Sequence, residues 1–546
     1  MSSPHSPDPA AVRWFLRQRR QGSTSALDRY VTVFGVALVG VIAAHPISSL
    51  LASMAGTTTT ARMSAGLALV VLAFAGFTAA ARAAGPVALS APDASWLLPA
   101  PLGRRAILGR TARLLLVAAV MAGALLGLAL LAVLGAPDRL LWRLAGALVV
   151  GVGATVSTMA LAVLEQASRL WDGWLGIATG ALVTLAVVLS VAAMGARTAR
   201  PALTGADLMT GAGNVSGIGG VTGGEAGLVP AVLHAVLGAV GAVAAAPPAV
   251  VAGVAVTAAL TAALLVRQAW ATLDRMPAGA VLAASTRAAH VTRAAVLLDP
   301  GALTWIAEDN HWKARRLRSR RWPSLPAPAA LAWHDWRRLA RRPGRLIAMA
   351  ASAALPAILA QALGVTTSGP GVPTAAAVLA GAVAVAAAAV AGARRDGDNP
   401  TLARLAAVGL RPALAARAML PALLAGAWTA AALTGLTLVG ALPAGAWWAF
   451  GPAVAPAVAA GALRMARRRP VDHSMPVIDT PGGAIPTGPL LWALTGVDVA
   501  LAGCLPAVVA LLAPPDGLAV LLVAQAVTGP LMLATYLLRA RKPTIS

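Results

Sequence analysis

Apolar residues in this chain run in stretches of about twenty positions, and Arg, Asp, Pro and Gly collect in the short segments between them. The stretches are not amphipathic, so they do not read as surface helices with one buried stripe. Their length matches the hydrocarbon layer of a bilayer at a rise of about 1.5 Å per residue. Backbone groups in lipid must bond within their own segment, so Ala-, Leu- and Val-rich runs of this kind predict helices and not barrel strands. Spans are predicted at Tyr30–Leu51, Ser64–Ala84, Leu114–Leu134, Leu140–Leu164, Trp174–Met194, Leu228–Val266, Leu346–Val365, Pro373–Gly392, Ala418–Leu442, Trp447–Leu463, Pro489–Leu512 and Leu518–Leu538. The sixth run is too long for one straight span. It is taken as a single span, kinked at Pro247–Pro248 or partly re-entrant on the outer side. The fold class expected is an all-α polytopic membrane protein with about twelve transmembrane helices.

Charge decides the orientation. With the N-terminus inside and the spans alternating, the outer loops hold Arg62, Arg139, Arg143, Arg197 and Arg200 out of 43 Lys and Arg, and all the others face the cytoplasm. An odd number of spans before any basic cluster would destroy that sorting. Both termini are therefore expected in the cytoplasm, of a bacterium to judge from the Ala-, Gly-, Pro- and Arg-rich composition, and the protein in the plasma membrane. Composition agrees: 58% of the 546 residues are hydrophobic and 11% are charged, against about 45–50% and 25% in soluble domains. The net charge of +24 would suggest nucleic acid in a soluble protein. Here it predicts contact with anionic lipid at the cytoplasmic face and no nucleic-acid partner. A lone Cys504 excludes an intramolecular disulfide. Met1 to Arg29 is polar and basic without an early apolar core, so no cleavable signal peptide is expected.

The order of segments repeats. A basic stretch bearing Trp opens each half, Val12–Arg20 and Leu331–Arg342; two spans follow, then a charged loop, Ser90–Arg113 or Arg394–Arg417. Each loop has an early Asp, a Leu-bearing segment and two Arg six residues apart: Arg104 and Arg110, Arg411 and Arg417. Trp174 and Trp492 stand at the inner ends of the fifth spans of the two halves. The organisation expected is a cytoplasmic arm with an amphipathic elbow over 1–29 and a first six-span half over 30–266. A basic cytoplasmic linker over 267–330 follows, then a second elbow and six-span half, parallel to the first, over 331–546. The linker, with KARRLRSRRW at Lys313–Trp322, lacks apolar periodicity and is expected to be a surface-lying segment or a partner contact and not a folded domain.

No residue set for chemistry stands out. A phosphate-cradling loop needs glycines and a Gly-Lys pair, but Trp312 precedes Lys313 and Arg541 precedes Lys542. The chain is expected not to hydrolyse ATP. The seven His are scattered, and no catalytic, cofactor or metal residues are assigned. Asn399 with Pro400 can open a short helix that Gly409 ends, with Leu402 and Leu405 on one face. Ser90 or Asp93 can cap Trp96–Leu98 before Pro99 and Pro101 break the helix. Such segments read either as docking knobs or as interfacial anchors. Asp498, nine residues into the eleventh run, would lie about 13 Å deep. There it faces a cavity or partner, forms a structural hydrogen bond, or marks a span that starts later. His45, His234, Gln361 and Gln525 are expected to bond between helices.

The succession of elbow, two spans, short cytoplasmic helix and four more spans resembles the ABC-2-type permease family of ABC exporters. The string from Trp96 to Arg105, WLLPAPLGRR, is similar to that family's segment LL-x-x-P-x-x-R. The resemblance implies that the loops are coupling helices for separate nucleotide-binding ATPase subunits. Asp93, Trp96, Leu97, Leu98, Arg104 and Arg105 would dock in the first half, and Asn399, Leu402, Leu405 and Arg411 in the second. ATP and Mg would belong to the partner. The family usually supplies six spans per chain and dimerises, so this chain resembles a fused pair. Thr401–Arg411 lacks the double Pro and the Arg pair, which makes the implied docking asymmetric. A hydrophobic, amphipathic or peptidic substrate suits spans with few fixed charges. An ion-coupled transporter of the twelve-span type and a membrane scaffold without transport activity are the competing readings.

Overall fold

A computed structural model describes residues 59–89, 91–99, 103–135, 140–198, 228–296, 324–365, 371–399, 408–468, 477–480, 483–515 and 517–540. The predicted first span, the first elbow and Lys313–Trp322 lie outside them. The first half contains α1 (Thr60–Ala84), α2 (Ala91–Leu97), α3 (Arg104–Leu134), α4 (Leu140–Ala167), α5 (Arg169–Thr198), α6 (Leu228–Ala244) and α7 (Pro248–Thr272). A 3-10 turn at Leu273–Arg275 leads to α8 (Ala278–Val296). Then come α9 (Ala327–Ala340), α10 (Pro343–Ser352), α11 (Leu355–Ala362), α12 (Gly371–Ala389), α13 (Ala391–Asp398), α14 (Leu410–Leu438) and α15 (Phe450–Ala466). A two-stranded hairpin, β1 (Val477–Thr480) antiparallel to β2 (Gly483–Pro486), precedes α16 (Thr487–Leu494), α17 (Val497–Gly503), α18 (Leu505–Leu512) and α19 (Ala519–Arg539).

Ten helical segments among the described residues are long and apolar enough to cross a membrane. The chain is a polytopic membrane protein, and its described residues are helical apart from one hairpin. The expected spans Ser64–Ala84, Leu140–Leu164, Trp174–Met194, Pro373–Gly392 and Leu518–Leu538 fall on α1, α4, α5, α12 and α19. Leu346–Val365 falls on the span Pro343–Ala362, which is interrupted between α10 and α11 next to Pro356. The sixth run breaks at Ala245–Pro247, where the kink was expected, and α7 is the part of it long enough to cross. Two other expectations are corrected. The third span begins at Arg104 and not Leu114, because Arg favours helix and can carry its charge away from lipid on a long stem. The eleventh is three short helices, α16 to α18, and is not among the ten.

Side-chain contacts fix the direction of each helix. One end of the bundle gathers Arg82, the first turns of α3, Asp274, Arg411, Arg464 and Leu538. We call this the basic end. The opposite end holds Arg62, whose Nε donates to the Ala362 carbonyl at 3.0 Å, and Arg143, which donates to the Ala244 carbonyl at 2.7 Å. α3 runs from the basic end outward and α4 returns. α7 lies parallel to α4, with Trp142 donating to the Pro248 carbonyl at its start. α14, α15 and α19 are arranged in the same way.

Glycines set both crossings. A Cβ on Gly123 would stand 2.5 Å from the Val152 Cα, and one on Gly151 would stand 2.4 Å from the Gly123 carbonyl oxygen. In the second half a Cβ on Gly451 would stand 2.5 Å from the Gly426 oxygen. The third helix also meets the second at a small residue: Gly153 against Ala258 and Gly529 against Ala453. Small residues let membrane helices pack backbone to backbone where lipid supplies no hydrophobic drive.

The largest apolar core joins α12, α14, α15 and α18 around Trp428, Trp447 and Phe450. A second lies at the basic end of the first half. A third, with Met63, Ala68, Leu189, Val240 and Ile358, forms the seam between halves where α1 meets α11.

The break between α17 and α18 is filled by a side chain. Pro506 has no N–H to continue the ladder. The Gln525 amide, fully buried, donates to the Gly503 carbonyl at 2.7 Å and accepts from the Ala507 N–H at 3.2 Å. These two groups would otherwise bond each other in a continuous helix. One amide therefore spans the opened rung and partners the two backbone groups that the break separates.

Candidate functional site

The loop that follows α1 is built onto the basic end. Gly85 leaves α1 at φ +66, and a Cβ there would stand 2.9 Å from Ala284 on α8, so the turn needs both glycine's conformation and its size. The Gln166 side chain then exchanges two hydrogen bonds with Val87, accepting from its N–H at 3.1 Å and donating to its carbonyl at 2.9 Å. Leu89 N–H donates to Ser285 Oγ at 2.9 Å, and Ser285 is buried on α8. Arg82 pairs with Glu165 at 3.3 Å.

This loop positions α2. Asp93 lies in its first turn, where an acid favours the helix dipole. Trp96 is 80% exposed, Leu97 is half-buried and Leu98 is 9% exposed. Leu98 joins a small core with Val87, Ala94, Leu108, Leu273, Met276 and Val281. It supports the tip from beneath. Val281 and Met276 come from the segment expected to lie on the surface or against a partner. Residues 278–296 instead form α8, which packs against α2, and the apolar positions Val281 and Ala284 are fully buried. The basic residues of the linker mask this short apolar face.

Arg104 and Arg105 are both engaged within the chain, Arg105 while still exposed. Arg104 donates to the Met276 carbonyl, and Arg105 pairs with Asp274 at 3.1 Å. Gly103, at the N-cap of α3, offers no side chain. Asp274 takes that role from outside by accepting the Arg105 backbone N–H at 3.2 Å.

The second loop is held by charge. Arg417 on α14 is buried; its Nη1 donates to Asp335 Oδ1 on α9 at 2.6 Å. Its Nε and Nη2 donate to the two oxygens of Asp396 on α13 at 3.0 and 3.2 Å. The backbone of α13 crosses directly over this cluster, where a Cβ on Gly392 would stand 2.4 Å from Arg417 Nη1. Burial pushes the neighbouring Arg395 guanidinium down from its ordinary value, and Arg338 adds to the shift. Arg417 was paired in sequence with Arg110, which is exposed on α3; the two have no role in common. Arg104 and Arg411 do, since Arg411 also donates to a carbonyl near the end of its half, Leu538, at 3.2 Å.

Asn399 closes α13, its N–H donating to the Arg395 carbonyl at 2.9 Å, and Gly409 stands at the N-cap of α14. Leu402 and Leu405 lie outside the described residues. Asp498 sits after Gly496 (φ +101) in the first turn of α17 and is 47% exposed. It pairs with Arg464, in the last turn of α15, at 3.1 Å and accepts from the Gly496 and Val499 N–H groups. The span that holds it starts later than expected, so Asp498 lies at the basic end and not deep in the apolar layer. Nearby, Arg468 stacks on Trp492, 3.2 Å from the ring centre.

Sequence reasoning missed the Asp335–Arg417–Asp396 cluster. Its signal was a single Asp among the basic residues of LAWHDWRRLARR. Residues 58–476 match DUF6297, described as a family of unknown function. No curated protein and no solved structure matches the chain.

Proposed function

We propose for this chain, which belongs to the DUF6297 family, the role of transmembrane permease subunit of an ATP-binding cassette exporter in a bacterial plasma membrane. In this reading it has twelve spans: the ten helical segments, the apolar run Tyr30–Leu51 and the segmented run α16–α18. The spans form two parallel copies of one six-span unit, with both termini in the cytoplasm. The glycine crossings of α3 with α4 and of α14 with α15 support the duplication. One helical turn more separates Arg104 from Gly123 than Arg411 from Gly426, so the first copy is a turn longer at the basic end. The gathering of arginines at that end supports the orientation.

The observation that carries the function is Trp96. A large aromatic side chain stands exposed at the tip of a short helix, while Leu98, Ala94 and the α8 contacts fix that helix from below. An exposed aromatic on a rigid mount fits an anchor for a partner's pocket. Separate nucleotide-binding ATPase subunits, carrying ATP and Mg, would press on α2 and on the segment from α13 to α14. Closure of the ATPases would be passed to α3 through Arg105 and Asp274, and to α14 through Arg417. That is a two-state bundle biased by a ligand bound elsewhere. The substrate class is hydrophobic, amphipathic or peptidic.

The test is co-expression with the ATPase encoded nearest to this gene, followed by purification and ATP-driven export into inverted vesicles. Trp96→Ala should reduce both recovery of the ATPase and transport, with the protein still monodisperse. Full recovery with Trp96→Ala would remove the docking assignment. Transport driven by an ion gradient without ATP would instead favour an ion-coupled carrier, with Asp498→Asn as the variant to examine.

A further inference from the structure

The first half leaves a groove between α3, α4 and α7 at the basic end. Its walls are Leu115, Leu116, Val156, Met159 and Val163, with Arg113 and Trp270 among the lining residues. Leu114, Val117, Leu260 and Leu264, on the same two helices α3 and α7, are all more than half exposed. In a membrane these side chains face acyl chains, so the groove opens toward lipid and not toward water.

Basic residues stand at its rim. Arg110 lies one turn before Arg113 on α3, and Arg267 lies one turn before Trp270 on α7. The levels agree, since a side chain on Gly109 would touch the Trp270 ring at 3.5 Å. All three arginines are exposed. Two carboxylates of this end have other partners: Glu165 pairs with Arg82 and Asp274 with Arg105. An apolar slot below, guanidinium groups above and an indole at the boundary make up the chemistry of a lipid with a negative headgroup.

We propose that this groove is a binding site for one anionic phospholipid, its acyl chain lying along Leu116, Met159 and Val163 and its phosphate at Arg113, Arg110 and Arg267. In the second half the arginine that matches Arg110 in sequence, Arg417 of α14, is buried between Asp335 and Asp396 and does not offer its charge to such a headgroup. The site depends on the membrane placement of the helices and not on the exporter reading, and its test does not involve an ATPase.

The full chain, purified in a neutral detergent, is titrated with phosphatidylglycerol and, separately, with phosphatidylcholine, and read by native mass spectrometry. One phosphatidylglycerol should be retained per chain in preference to phosphatidylcholine, and millimolar inorganic phosphate should not displace it. Arg113→Gln with Arg267→Gln should weaken retention about tenfold or more. Both positions are exposed, so the fold should be unaffected by size-exclusion chromatography. Ala112→Trp, which fills the groove with every arginine left in place, should also abolish retention. Equal retention of the two lipids, or retention unchanged by both variants, would overturn the site. Displacement by phosphate alone would reduce it to a surface anion site without an acyl slot.

Discussion

After α1 the chain is fastened to the basic end by burial: Val87, Leu98, Leu108, Leu273, Met276 and Val281 close over one another, and hydrogen bonds from Gln166 and Ser285 satisfy the loop backbone. After α12 it is fastened by charge, with one guanidinium between two carboxylates from different helices. The two loops occupy corresponding places in the order of elements. What differs is their tolerance of change. An apolar cluster loses stability in proportion to the volume removed and accepts swaps that conserve it. A buried ion cluster cannot lose one member, because the remaining charge stays in a poor solvent. Removing the whole set is often harmless.

The largest effect should follow from Asp335→Ala. It strips one carboxylate from Arg417 and should cost about 3–5 kcal/mol, seen as loss of monodisperse protein and a lowered thermal midpoint. Replacing all three residues together, Asp335→Leu, Asp396→Leu and Arg417→Met, should recover most of that loss. If the single change is silent, the second loop is not held by charge. Next comes Leu273→Ala in the first loop, where a fully buried side chain is cut back, at about 2–5 kcal/mol. High salt should leave this deficit unchanged. Smaller again is Ser285→Ala, which leaves the Leu89 N–H without its acceptor at about 1 kcal/mol. Its clearest readout is faster hydrogen exchange at Leu89. The smallest is Arg105→Ala. Both partners of that ion pair are nearly half exposed, so the midpoint should move by less than the equivalent of about 1 kcal/mol. A larger shift would mean that charge also holds the first loop.

The membrane class could be read from hydropathy because lipid requires length and apolarity of each spanning helix, and both are written locally. The breaks were less visible. Nothing near Cys504 says that Gln525, on another helix, will fill the opened rung, so the eleventh run looked continuous. The docking tip was half legible: Trp96 and Leu98 are equally apolar in sequence, and only the fold decides which one is buried. Arg417 was the furthest from reach. Its partners lie 82 and 21 residues away, and an arginine in a basic loop reads as solvated whether or not two carboxylates surround it. α8 was hidden for a similar reason, since its few apolar positions matter only once α2 and the loop after α1 are there to cover them.

Where Gly123 faces Gly151, and Gly426 faces Gly451, nothing soft separates the two main chains. Helices in such contact can neither roll nor slip past each other without atomic overlap, so α3 with α4, and α14 with α15, behave as stiff two-armed beams. Any rearrangement of the bundle has to be taken up elsewhere. The places with freedom to yield are the α1–α11 seam, where the two beams' territories adjoin, and the jointed run from α16 to α18.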